Sequence, residues 1–146
     1  MADSIREVAL ARLFVLLQGI AGVTVLRNPN HSLGPEDLPA VAQFDGGESV
    51  EESATGSLRL GIRVAVACTV KASDAAGLGA ALSDLRAKVR VAIAADFTLG
   101  GLASIVRYVG CDDPVVVAEE GVAPIAALIC DFIIECEEAA LDPYQQ

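Results

Sequence analysis

The apolar and polar positions of this chain fall into two kinds of period, and each predicts an element. The clearest is "LRLGIRVAVACTV", residues 58–70. Leu58, Leu60, Ile62, Val64, Val66, Cys68 and Val70 alternate there with Arg59, Gly61, Arg63, Ala65, Ala67 and Thr69. A period of two held over the whole run predicts a long strand with one face in the core. Its other face begins with two arginines and then turns small, which lets another element approach closely. "IAALICDFIIEC", residues 125–136, repeats the pattern: Ala126, Leu128, Cys130, Phe132, Ile134 and Cys136 share one face. The second face carries Ile125, Ala127, Ile129, Asp131, Ile133 and Glu135 and is half apolar too. A small domain must cover such a face with a helix or with a neighbouring subunit.

A helical period predicts two further elements. Ile5, Val8, Ala9, Leu13, Leu16, Leu17 and Ile20 recur on one stripe, and Gly22 ends the run. "SIRE" opens it as a capping box, with Ser4 accepting from the Glu7 amide and Glu7 reaching back to Ser4. The stripe is core; the opposite face has too few cations for a lipid surface. The second helix follows "KASDAAG" and runs through "LGAALSDLRAKVRVAIAAD". Its stripe is Leu78, Leu82, Leu85, Val89 and Ile93, with Asp84, Arg86, Lys88 and Arg90 on the surface.

The remaining elements are shorter. "VTVLR", residues 23–27, reads as a first strand, and "NPNHSLGPED" as a surface loop. "LPAVAQF", residues 38–44, reads as a second short strand with Pro39 near its start. "FDGGES" then reads as a turn, because Asp45-Gly46 and Gly46-Gly47 are turn dipeptides between two apolar runs. "ESVEESATGS" extends it as a solvated excursion from the sheet. After the second helix, "FTLGG" gives a glycine-broken turn, and a strand runs from Ala103 to Val109. The loop "CDDP", a short "PVVV" strand and the breaker "GVAP" precede the last long strand. The predicted class is α+β: a mixed or antiparallel sheet of about four to five strands with two main helices packed on it. Residues 1–136 form one domain and residues 137–146 a polar C-terminal tail.

Charge narrows the function classes. The 146 residues carry 20 acidic against 10 basic side chains, a formal net charge of -10. That balance argues against binding a nucleic-acid backbone, which needs cations to replace released counterions. Aromatics at 4 % give no stacking platform for bases. Asp3, Arg6, Glu7 and Arg12 interrupt the opening segment, so no signal core is expected, and the apolar runs are too short to span a bilayer. Cys68, Cys130 and Cys136 fall in strands as small buried hydrophobes, and Cys111 follows Gly110 at a strand end. None has CxxC spacing, and all four are expected reduced.

Candidate chemistry is thin. After Asp45 the glycines fail the alternating oxygen ligands of a calcium loop, and no lysine lies near enough for a phosphate loop. His31 is the sole histidine, without a second ligand for zinc or an evident partner to orient it as a base. The pairs Asp112/Asp113 and Glu119/Glu120 sit in loops, where carboxylates solvate. No catalytic, cofactor-binding or metal site is expected, and no membrane partner.

The order of segments carries more than any single one. The amphipathic opening helix passes into "GVTVLRN"; a strand ends in "FDGGE"; the arginine-bearing strand, the second helix and "DFTLGGLASIVRYVG" follow. Over nearly the full chain this resembles the tail terminator (tail-completion, minor tail) proteins of long-tailed phages and phage-like gene transfer agents. The resemblance implies a subunit of a hexameric ring in the virion. That ring caps the head-proximal end of the tail tube, ends its polymerisation and offers a surface to the neck. The implied partners are further copies of the chain, the tail tube protein and a head-tail connector or neck protein. DNA passes through the lumen without specific binding. Six copies at -10 each carry about -60, a field that resists sticking of that DNA. No catalytic residues are carried over by the resemblance.

Within such a ring, the segment Asp45 to Gly56, with Asp45, Glu48, Glu51 and Glu52, is expected to project and contact tube or neck. Arg59 and Arg63 are expected to pair with an adjacent subunit's acids, each exposed pair contributing about 0–1 kcal/mol. The alternatives are a neck or head-closure joining protein and, from another class, a small oligomeric α+β enzyme or ligand-binding domain. A deep pocket lined by His31 and several acids marks the latter.

Overall fold

The computed structural model describes residues 3–54, 56–117 and 122–146, without the side chains of 52–54. Helix α1, Ile5–Gln18, starts where Ser4 accepts a hydrogen bond from the Glu7 amide at 3.2 Å. The reciprocal half of the capping box is not made. Both Glu7 carboxylate oxygens turn outward to Arg27 instead, at 2.8 and 2.9 Å. A charged fork-to-fork pair outcompetes a single bond to a backbone amide. Helix α2, Ala75–Ala94, is capped by Asp74, which accepts from the Gly77 amide at 2.8 Å. The residues α2 buries are Leu78, Leu82, Leu85, Val89 and Ile93, the stripe read from its period.

The strands are β1 (Thr24–Arg27), β2 (Ala40–Ala54), β3 (Ser57–Lys71), β4 (Ala103–Cys111), β5 (Val115–Val117) and β6 (Ile125–Ala139). They form one mixed sheet in the order β1-β2-β3-β6-β4, with β5 beside the start of β6. The α+β expectation holds, with six strands among the described residues where about four to five were expected. Among the described residues only β1 and β2 run parallel; every other strand pair there is antiparallel. Leu60, Ile62, Val64, Val66, Cys68 and Val70 of β3 join Cys130, Phe132, Ile134 and Cys136 of β6 in one buried cluster with the stripes of α1 and α2. Both helices therefore lie on the same face of the sheet.

Two expectations about the middle of the chain are overturned. "FDGGES" is not a turn, and "ESVEES" is not an excursion: β2 continues through both to Ala54 and pairs with β3 along its length. The glycines instead form a β-bulge. Asp45 faces Val64 and Glu48 faces Ile62, so Gly46 and Gly47 together oppose Arg63. A Cβ on Gly46 would lie 2.6 Å from the Arg63 carbonyl oxygen, whereas one on Gly47 would meet the mobile Arg63 guanidinium at 2.8 Å. Gly46→Ala is accordingly expected to cost about 1–3 kcal/mol in urea unfolding, because backbone must move. Gly47→Ala should cost less, since a side-chain tip can swing away.

The segment 137–146 begins as the last residues of β6 and then folds back. The Pro143 carbonyl accepts from the Ile5 amide at 2.9 Å, at the start of α1, and the Gln145 carbonyl accepts from the Ala139 amide at 2.7 Å. The Gln146 side chain donates to the Leu102 carbonyl at 2.6 Å. No helix among the described residues is long and apolar enough to cross a membrane.

Candidate interaction surface

With both helices on one face, the other face of the sheet is left open. Register places Phe44, Ala65 and Asp131 in one row across it, Arg63, Ile133 and Arg107 in the next, and Ser49, Gly61, Glu135 and Ile105 in a third. Phe44, Ile105 and Ile129 are 40 %, 38 % and 41 % exposed, values that mark them as unburied large apolar side chains on the open face. The small residues of β3 make this face flat at its centre, while β6 supplies the branched side chains.

Charges ring the apolar part. Arg59 stands in register between Glu51 on β2 and Glu137 on β6. Arg107 donates to Glu135 at 2.8 Å and keeps its side chain 54 % exposed. Shallow clefts of about 530 and 370 Å³ lie on either side of Arg59, each also lined by Glu135. His31 is exposed in the loop between β1 and β2 and lines neither cleft. Among the described residues no three His, Cys, Asp or Glu side chains converge as metal ligands would. The thiols of Cys68, Cys111, Cys130 and Cys136 are all free, and burial pushes that of Cys136 up to about 11. Glu119 and Glu120 lie outside the described residues.

The six residues singled out from the sequence do not act as one group. Asp45 faces the helix side and belongs to an internal network. Its carboxylate accepts from Arg27 at 2.9 and 3.1 Å, from Asn28 at 2.8 Å and from Gln43 at 3.0 Å. Gln43, fully buried, also donates to the Leu10 carbonyl at 3.1 Å, so the network ties α1, β1 and β2 together. Glu48 lies on the same side, 3.7 Å from Arg6. Glu51, Arg59 and Arg63 belong to the open face, and the Glu52 side chain lies outside the described residues. The segment 48–54 is strand, so removing it would remove sheet rather than trim a loop.

A second cluster went unmarked in the sequence. Arg86 and Arg90, one helical turn apart on α2, both reach Tyr108 of β4. Arg86 Nε donates to the Tyr108 hydroxyl at 3.2 Å, and the Arg90 guanidinium lies 4.4 Å from the ring centroid. Tyr108 in turn tilts against Phe132, ring centroids 5.3 Å apart. Burial raises the Tyr108 hydroxyl above its ordinary value, although Arg86 opposes this. The i, i+4 spacing of the two arginines was legible; the tyrosine they share was not.

No family model matches the chain, and no curated protein matches it. Among solved structures 28 chains match. One is a chain of the virion of a native gene transfer agent particle, 16 % identical, with a TM-score of 0.40 over 88 % of this chain and 93 % of that one. At that score and identity the likeness says nothing of what this chain does.

Proposed function

We propose that this chain is a structural protein of a phage-like tail: a ring-forming subunit, six to a ring, at the head-proximal end of the tail tube. The ring ends tube polymerisation and presents a surface to the neck. The observation that carries this reading is the open sheet face, with Phe44, Ile105 and Ile129 exposed and both helices spent on the other side. Apolar side chains set in a flat, rigid sheet suit burial against another protein better than a small ligand. The segment order that resembles tail terminators supports the same assignment, and it supplies the partners: further copies, the tube protein and a neck protein. The acidic balance of the chain suits a wall past which DNA slides without adhering. A basic inner wall of the ring would contradict that last point.

Electron microscopy of particles from a producer strain lacking the gene tests the assignment. Tails of excessive, uncontrolled length without attached capsids are the expected result. Tails of normal length beside separate heads would move the chain to head-neck joining. Unchanged infectious particles would overturn both.

A further inference from the structure

The two outer edges of the sheet differ in charge and in shape, and they are complementary. On one side, β1 covers β2 only from Ala40 to Gln43, and Asn28 reaches Asp45. Beyond Gly46, β2 has no strand on its outer side among the described residues. That free stretch presents Glu48 and Glu51, with Val50 between them 57 % exposed.

On the other side, β4 is bonded along its outer edge, among the described residues, only at its start. The Ala103 amide donates to the Thr98 carbonyl at 2.9 Å and the Val106 amide to the Phe97 carbonyl at 2.7 Å. From Arg107 onward no strand flanks it among the described residues. Where the bonded start of β4 gives way to the free stretch, a cleft of about 380 Å³ opens between α2 and β4, with Phe97, Ile105, Val106 and Tyr108 as its apolar walls and Arg90 and Arg107 at its rim. Neither Arg86 nor Arg90 meets a carboxylate among the described residues, although the chain as a whole carries twice as many acids as bases.

We propose that these two edges meet between neighbouring copies of the chain. The β2 edge of one subunit enters the β4 edge of the next, with Val50 seated in the α2–β4 cleft and Glu48 and Glu51 drawn to Arg90 and Arg107. This rests on the ring reading above and gives it a specific interface.

Three features converge on that contact. Strand direction is the first. β2, β3, β6 and β4 each run antiparallel to the next, so β4 runs opposite to β2. Setting the next subunit's β2 beside β4 continues the alternation without a break. Facing is the second. Glu48 and Val50 lie in register with Ile62 and Leu60, on the face of the sheet that bears the helices, the side from which Arg90 approaches. Glu51 lies in register with Arg59, on the open face shared by Arg107. A sheet continued in this way keeps each acid on the same face as its cation.

Stagger is the third. Asp45, Val64, Phe132 and Tyr108 form one row, so the free stretch of β2 lies on one side of that row and most of the free stretch of β4 on the other. Neighbours joined along these edges are therefore offset along the strand direction, and a closed sheet requires such a shear. The contact is head-to-tail, the kind that forms rings when the rotation closes. It also buries the edges that would otherwise template aggregation.

Two charge reversals test the contact. Arg90→Glu spoils one edge, and Glu48→Arg spoils the other. Sedimentation velocity is expected to show each variant alone with at least tenfold weaker self-association than the wild-type chain. An equimolar mixture of the two should recover assembly. In an alternating ring, every contact then joins either two wild-type edges or two reversed ones. Val50→Ser, which leaves charge untouched, should also weaken assembly at least tenfold. All these side chains are exposed, and unchanged thermal melts verify the fold.

A wild-type ring that neither reversal disturbs, or a mixture that stays dissociated, would overturn the interface and leave the ring reading intact. A wild-type chain that remains monomeric would overturn the contact as a self-association surface. The tail lengths of the deletion strain decide the terminator assignment separately.

Discussion

Replacing Phe132 by alanine is expected to destabilise the fold by about 3–5 kcal/mol, a large part of the roughly 5–15 kcal/mol of a typical domain. Phe132 is 2 % exposed and sits at the middle of β6, opposite Val64 on one side and Tyr108 on the other. Its ring fills the space between the two sheet neighbours and the helix layer, and backbone held in two ladders cannot collapse into the cavity. The loss should appear as a fall of roughly 10 °C in melting temperature. Phe44→Ala is the control. Phe44 lies on the open face of the same sheet, 40 % exposed, and its removal should change the stability of the isolated chain by no more than about 0.5 kcal/mol. Equal losses at the two phenylalanines would mean that the open face is covered within the subunit, and the interface argument would fall with it.

Arg27→Ala is expected to cost about 2–3 kcal/mol and to change how stability depends on acid. Arg27 is the hub of the network: two bonds to Glu7 on α1 and two to Asp45 on β2, from a side chain 22 % exposed. Without it, two carboxylates face each other across the α1–β2 junction. The same geometry sets the pH dependence. Hydrogen bonding from Arg27 holds Glu7 below its ordinary value of 4.5. Burial acts to raise Asp45, but bonds from Gln43, Asn28 and Arg27 outweigh it and hold the carboxyl below its ordinary 3.8.

Carboxyl groups whose pKa falls on folding stabilise the native state above their unfolded values. They lose that contribution as pH falls through the folded ones. Wild-type stability should therefore decline as pH drops below 4.5 and further below 3.8, the ordinary values of the two groups. Arg27→Ala should start lower and decline less over the same range. Parallel profiles of melting temperature against pH for the two proteins would show that the network does not set the acid limit.

Much of the fold was legible because it is written locally. β3 and β6 alternate without interruption over most of their length, and α2 repeats its leucines and valines at a helix's own spacing, so each element names its buried face. The uncovered second face was also legible, since Ile125, Ile129 and Ile133 are too apolar for a solvated side. Which partner covers it depends on where the helices go, and that is a property of the whole chain. The bulge shows the limit most clearly. Gly46 and Gly47 satisfy the local chemistry of a turn as well as that of a bulge. The choice was made by the Arg63 carbonyl, which reaches Gly46 only after two strands have paired.

By itself, the sequence determined the two helices, the two long strands, the α+β class and a net acidic charge. Periodicity and composition act between near neighbours, and they survive any arrangement of the rest. Tertiary structure alone decided that both helices share one face, that Asp45 is an internal anchor, and that the acidic and basic edges lie on opposite sides of the sheet. Those facts arise from pairings between residues far apart in the chain, whose partners are fixed by strand register and by the free energy of burying one face rather than the other.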